Sequence, residues 1–237
     1  AKAGADLASV LEACGAACFE TYAGRGVVPW DHPLNFRAAL ARPSSAQIVA
    51  EADCVVAIGT ELAEVDLWRA HLGHSCPLYR IDIEPECLVD MQNAEVAIHA
   101  RAEEAMASLR PLMAASPSQW QAKLVAHQRE LWQGETEAER PGIIAIVEAL
   151  RAVVPDDAMI YSDMTQFAYV ANEIWPMTRA KHWHHPSGFG TLGYALPAAI
   201  GGAVARPGKP TLAIAGDYGF QYSLQELGAA VELGQPL

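Results

Sequence analysis

Leu7, Val10, Leu11 and Cys14 recur at the i, i+3, i+4, i+7 spacing of an amphipathic helix that buries one face. A short apolar segment from Ala17 to Phe19 follows. Tyr22 to Leu34 then carries too much Gly and Pro for a regular element and predicts an ordered loop. The continuous apolar run Cys54 to Ile58, closed by Gly59-Thr60, predicts a strand. Leu78 to Ile83 predicts another, with Tyr79, Ile81 and Ile83 alternating against Arg80 and Asp82 until Pro85 stops the run. Val96 to Ile98 is a third short strand, and Arg101 to Met113 a helix with Met106, Leu109 and Met113 on one side. Ser116-Pro117-Ser118-Gln119 offers an N-cap serine, a proline at the first helical position and a glutamine three residues after the cap. Trp120, Leu124 and Leu131 make the apolar stripe of that helix, which dissolves into the polar stretch Gln133 to Pro141.

The second half repeats the alternation. It predicts helix Ile143 to Val153, strand Ala158 to Tyr161, helix Gln166 to Ile174, a Gly-rich turn, helix Leu192 to Val204, strand Thr211 to Ala215 and helix Gln221 to Leu233. Leu224, Leu227 and Val231 form the buried face of the last helix, and Gly234 with Pro236 ends it. Strands alternating with helices imply an α/β fold of two tandem domains, each a parallel sheet flanked by helices. The first domain is placed at residues 1–116, a linker helix and loop at 117–140, and the second domain at 141–237. The start at Ala1 and the stop just after a helix terminus suggest a fragment truncated at both ends.

Composition narrows the class of partner. The 237 residues are 51% hydrophobic and 19% charged, a globular rather than a disordered balance. A net charge of −12 repels polyanions and argues against nucleic acid or an anionic membrane, so any bound phosphate must be met locally. The uncharged stretch Pro186 to Ala205 is long enough to span a membrane but holds two prolines and five glycines, which argues against that reading. Five scattered cysteines without a CxxC pair suit reduced thiols in a cytoplasm.

The apolar strand Leu212-Ala213-Ile214-Ala215 ends in Gly216-Asp217-Tyr218-Gly219-Phe220. A carboxylate at the carboxyl end of such a strand, beside a glycine and a helix amino end, suits Mg²⁺ on a diphosphate. The plainer alternative is a turn whose Asp caps the next helix. Upstream, Gly188-Phe189-Gly190-Thr191-Leu192-Gly193-Tyr194-Ala195-Leu196-Pro197-Ala198-Ala199-Ile200-Gly201-Gly202 is a glycine-dense turn entering a helix of small residues, where backbone comes close to a ligand or another chain.

Together with Leu224-Gln225-Glu226-Leu227, these two blocks resemble the cofactor domain of thiamine-diphosphate enzymes of the acetolactate synthase and 2-oxo-acid decarboxylase family. More loosely, the Tyr22 to Leu34 loop and Ile81-Asp82-Ile83-Glu84-Pro85 are similar to that family's middle domain. Tyr161 to Gln166 is similar to its first cofactor-domain strand and turn. The resemblance implies thiamine diphosphate and Mg²⁺ as cofactors, a 2-oxo acid as substrate and a homodimer or homotetramer. Asp217 is then the Mg²⁺ ligand, and Gly216, Tyr218 and Gly219 shape the turn, with Gly219 offering backbone N–H to the diphosphate. Thr165 and Gln166 lie where the family contacts the phosphates. The Gly190 carbonyl accepts from the cofactor's 4′-amino group, and the Leu192 side chain wedges between its two rings. The thiazolium takes up the electrons released as CO₂ leaves.

Departures limit what is implied. Tyr218 replaces a glycine of the family's Gly-Asp-Gly, and Phe167 stands where acetolactate synthases carry histidine. The second Mg²⁺ ligand, an asparagine, falls beyond Leu237, and the glutamate that activates the aminopyrimidine belongs to an N-terminal domain of a partner subunit. The fragment alone is therefore expected to be inactive. The Gly-Asp-Tyr-Gly-Phe-Gln-Tyr block and Phe167 lean toward decarboxylation of a basic 2-oxo acid such as 5-guanidino-2-oxopentanoate. Acetolactate-synthase-like carboligation, a non-catalytic nucleotide-binding or regulatory module, and an NAD-dependent oxidoreductase are the alternatives. His71, His74 and Cys76, or His182, His184 and His185, lack a fourth zinc ligand at a recognised spacing and read as surface loops, the second lying close to the active-site turn. Gly24-Arg25-Gly26 is a poor dinucleotide fingerprint, so the middle domain reads as structural, although its relatives can hold a flavin or nucleotide.

Overall fold

Short aliphatic runs form the strands of two parallel sheets, and most of the buried strand positions lie on the central strands. The computed structural model describes residues 4–113, 118–234 and 236–237. The chain divides into two units, one of Ala1–Thr21 with Val27–Trp132, the other of Tyr22–Gly26 with Gln133–Leu237.

The first unit runs through α1 (Gly4–Cys14), α2 (Ser45–Ala50), β1 (Val55–Ile58), α3 (Glu64–Leu67), β2 (Leu78–Asp82), α4 (Pro85–Leu88), β3 (Val96–His99) and α5 (Ala102–Leu109). A 3-10 turn at Arg110–Leu112 and the start of α6 (Ala122–Glu139) follow. The three strands are parallel in the order β1-β2-β3. Ala57 and Leu78 pack with Leu40, Val49, Leu62, Leu67 and Leu72 on one face, while Ile81 meets Ala105 and Met106 of α5 on the other. The Tyr22 to Leu34 segment is built of turns and bends, as its Gly and Pro content predicts.

Two expectations change. In β2 the polar positions Arg80 and Asp82 are buried, whereas Ile83 lies past the strand end and is 54% exposed. Arg80 tolerates the interior because Nη1 donates to Asp90 and Nη2 to the Thr60 carbonyl, each at 2.7 Å. In α6 the buried face is Val125, Trp132 and Thr136, one residue out of step with the predicted Trp120, Leu124 and Leu131 stripe. Leu124 and Leu131 are exposed. The helix also continues through the polar stretch to Glu139, because Gln, Glu and Ala are good helix formers that need no apolar face. Its proposed start at Ser116-Pro117 lies outside the described residues.

The second unit holds α7 (Ile143–Val153), β4 (Met159–Ser162), α8 (Gln166–Ile174), β5 (Trp183–His184), α9 (Ala195–Ala205), β6 (Thr211–Ile214), α10 (Asp217–Ser223) and α11 (Glu226–Glu232). Its strands are parallel in the order β5-β4-β6, so β4 is central. Ile144, Val147, Ile160, Val170, Trp175, Met177 and Trp183 form the main core. The helix expected from Leu192 starts instead at Ala195, because Gly190 and Gly193 take φ of +61° and +84°, left-handed values that no α-helix continues. The single last helix is two short ones, broken at Leu224-Gln225. Its buried apolar member is Ala230, which packs on Leu196 and Ile200 of α9, while Leu224, Leu227 and Val231 are 47%, 39% and 80% exposed. The second histidine cluster is not a surface loop, since Trp183–His184 is strand β5 and His184 stacks on Tyr161 at 4.9 Å. No helix among the described residues is long and apolar enough to cross a membrane, and all five cysteines are free.

Candidate functional site

Three segments of the second unit meet at the carboxyl ends of β4 and β6, the edge where open α/β sheets bind ligands. The ladder between these strands extends past the last paired residues through a bond from Asp163 N to Ile214 O at 2.8 Å. Each strand then turns into a helix. After β4, Thr165 adopts extended backbone and its Oγ1 accepts from Ala168 N at 2.9 Å, an N-cap that starts α8. After β6, Gly216 is the extended N-cap of α10 and Asp217 its first residue. A Cβ placed on Gly216 would lie 3.6 Å from Thr165 Cγ2, so the two helix amino ends are neighbours. In α10 the first intrahelical bond to Gly216 O comes from Phe220 N at 2.9 Å, so the amides of Asp217, Tyr218 and Gly219 precede it.

The third segment is the glycine-rich turn. Gly190 N donates to Pro186 O at 2.8 Å, and a Cβ on Gly190 would stand 3.4 Å from Met164 Cε, which places the turn over the β4–α8 connection. Gly193 N and Ala195 N donate to Asp163 Oδ2 and Oδ1 at 3.0 and 2.8 Å. Gly219 of α10 lies against the same carboxylate, so closely that a Cβ there would collide with it.

The structure therefore brings together Thr165, Gly190, Gly216, Asp217 and Gly219. Leu192 follows within the turn, 41% exposed. Asp217 is exposed at the head of α10. Tyr218 is 67% exposed in helical backbone, so this turn accepts a side chain where the family carries glycine. Gln166 is drawn aside, accepting from Arg140 Nε at 2.9 Å. Phe167 packs against the main core and belongs to no polar site.

Sequence reasoning gave Ser162 and Asp163 no role and read His185 as part of a surface loop. Asp163 follows an apolar strand just as Asp217 does, and that signal was present. Strand β5 left none, because it is only two residues long. Burial, then the nearby Arg25 charge, pushes the His185 imidazole down to about 4. The pocket lined by Arg151, Trp175, Arg179 and His182 flanks the amino ends of β4 and β5, away from this edge.

The donor set fits a diphosphate with Mg²⁺. Two helix amino ends lie side by side with a glycine between them, and one exposed carboxylate stands at the head of α10. No group of three or more His, Cys, Asp or Glu among the described residues could hold a metal alone. A single carboxylate suits an ion that takes its remaining ligands from phosphate oxygens and water, as Mg²⁺ does.

Comparison with known proteins decides the family. Residues 1–109 match the family model for the thiamine pyrophosphate enzyme central domain, and residues 163–237 match that for the thiamine pyrophosphate enzyme C-terminal TPP binding domain. The chain belongs to the thiamine pyrophosphate enzymes. It is also similar to individual proteins. It is 39% identical to a probable 2-ketoarginine decarboxylase of Pseudomonas aeruginosa over 99% of this chain and 43% of that protein. It is 29% identical to the acetolactate synthase isozyme 1 large subunit of Escherichia coli over 87% of this chain and 38% of that protein. With the chloroplastic acetolactate synthase 1 of Zea mays the identity is 27% over 96% of this chain and 37% of that protein. The chain thus spans about two fifths of the length of these relatives.

Proposed function

We propose that this chain supplies the thiamine-diphosphate and Mg²⁺ site of an enzyme that decarboxylates a 2-oxo acid. The observation that carries the proposal is the pairing of the α8 and α10 amino ends, with Asp217 exposed at the latter, beside the Gly190 to Leu192 turn. Asp217 holds Mg²⁺, Thr165 and the leading amides of α10 hold the diphosphate, and Gly190 and Leu192 meet the cofactor's rings. When bound, the cofactor supplies the thiazolium electron sink that a 2-oxo acid needs to lose CO₂. The protein's part is to fix the rings against each other and to keep the diphosphate's charge on local dipoles and one metal ion.

Support for a basic substrate such as 5-guanidino-2-oxopentanoate comes from the similarity to the probable 2-ketoarginine decarboxylase. Phe167 adds to this, since the position is an apolar core side chain here. The acetolactate synthases among the relatives support carboligation as the second reading. Exposed Tyr218 and Tyr222, one turn apart on α10, and Leu227 and Val231, one turn apart on α11, are consistent with a homodimer or homotetramer. An assay of CO₂ release by the full-length protein on a panel of 2-oxo acids tests the proposal. Turnover of a guanidino or amino 2-oxo acid to the aldehyde supports decarboxylation. Accumulation of a condensed acetohydroxy acid would move the assignment to carboligation.

A further inference from the structure

The last residue of β4 and the one after it, Ser162 and Asp163, are both fully buried. Ser162 Oγ accepts from Trp183 Nε1 at 2.8 Å and lies 2.9 Å from His185 Nδ1. One buried hydroxyl thus ties the His185 imidazole to the Trp183 indole. His185 in turn leads into the glycine-rich turn, its carbonyl accepting from Ser187 N at 2.8 Å. Asp163 takes the other end of the same segment, through Gly193 N and Ala195 N. The last residue of the central strand and the one after it therefore grip the turn on either side of Gly190 and Leu192.

Asp163 also changes what the neighbouring helix can do. Ala195 is the first residue of α9, so the Asp163 carboxylate occupies that helix's amino end. The protein's own anion fills the dipole there, which leaves the α8 and α10 ends for the diphosphate. Anchoring of the diphosphate and placement of the turn thus fall to different parts of the sheet edge.

We propose that Ser162 and Asp163 are positioning residues, a two-point clamp that sets the glycine-rich turn and so governs activation of the cofactor's C2–H separately from diphosphate binding. The proposal rests on the thiamine-diphosphate reading given above. Its test uses full-length protein carrying Asp163→Asn, which is isosteric and keeps the Gly219 contact but loses one of two acceptors, and Ser162→Ala.

In cofactor-free protein, Asp163→Asn should raise amide hydrogen exchange at Gly193 and Ala195 by about tenfold or more, the loss of one charge-assisted bond. In the loaded protein, thiamine diphosphate affinity with Mg²⁺ should stay within about threefold, while deuterium exchange at C2 slows by about tenfold or more, the cost of a misplaced group. Ser162→Ala should shift the His185 imidazole resonances in the ¹⁵N spectrum and slow C2 exchange likewise. Unchanged amide exchange in Asp163→Asn, or C2 exchange that stays at the wild-type rate in both variants, overturns the clamp. So does a loss of affinity matching the loss of C2 exchange. Wild-type protein that binds no cofactor would sink the proposed function instead, and the amide and ¹⁵N measurements would still report on the clamp.

Discussion

Gly219 is the residue whose identity the structure constrains most tightly, because its Cα rests on the buried Asp163 carboxylate. Gly219→Ala should therefore cost about 3 kcal/mol or more, the range for overpacking a fixed buried network, seen as a lowered midpoint in thermal denaturation. Gly134, inside α6 with nothing within 4 Å of its absent Cβ, is the control. Gly134→Ala should stabilise by about 0.5–1 kcal/mol. Leu192→Ala should leave cofactor binding mostly intact and slow C2 deprotonation, read by deuterium exchange at C2. His185 predicts a pH dependence. Its imidazole titrates near 6.5 when unfolded and near 4 when folded, so between those values the unfolded chain binds the extra proton. The stability it contributes is complete above pH 6.5 and declines as pH falls toward 4. His185→Gln should lose less thermal stability than the wild type between pH 7.5 and 4.5. Asp217 and the glycines around it were legible in the sequence because a strand-end carboxylate needs no tertiary contact to be seen. Ser162 and Asp163 were not given roles, since their partners Trp183, Gly193 and Ala195 are 21 to 32 residues away.

At the level of elements, local pattern was sufficient where one face is apolar and the other wet. The helices Ile143–Val153 and Gln166–Ile174 match their predicted bounds. It was insufficient in α6, where the exposed Leu124 and Leu131 compete with the true stripe. There Trp132 packs among Phe19 and Phe36 and its Nε1 donates to Ser44 Oγ at 2.8 Å, geometry that no spacing rule reveals. Trp132→Ala should cost about 3–5 kcal/mol, and Leu124→Ala, on the exposed side, less than about 0.5 kcal/mol. Chemical denaturation of both variants tests the register of the helix. β5 escaped notice because two residues cannot display a period, and the last helix was overextended because Gln225 gives no break signal of its own.

For the molecule as a whole, the acidic balance and the proposed diphosphate site agree rather than conflict. Under that proposal a chain with net charge −12 meets phosphate through helix amino ends, backbone amides and one metal ion. Each unit builds its own sheet, with its own strand order and its own core. The segment Tyr22–Gly26 is the exception to chain order, counted with the second unit, where Arg25 donates to Ala171 O at 3.1 Å and to Asn172 Oδ1 at 2.8 Å and lies over Trp183. A long-range insertion of this kind leaves no trace in hydrophobic periodicity, which is why the sequence placed the whole loop in the first domain.

The central claim is that Asp217 and the two helix amino ends hold thiamine diphosphate through Mg²⁺. Calorimetric titration of the full-length protein with thiamine diphosphate, with and without Mg²⁺ and in the Asp217→Ala variant, tests it most directly. The account predicts binding in the wild type that needs Mg²⁺ and is abolished in Asp217→Ala. Affinity that is the same in the variant, or that does not depend on Mg²⁺, would contradict it.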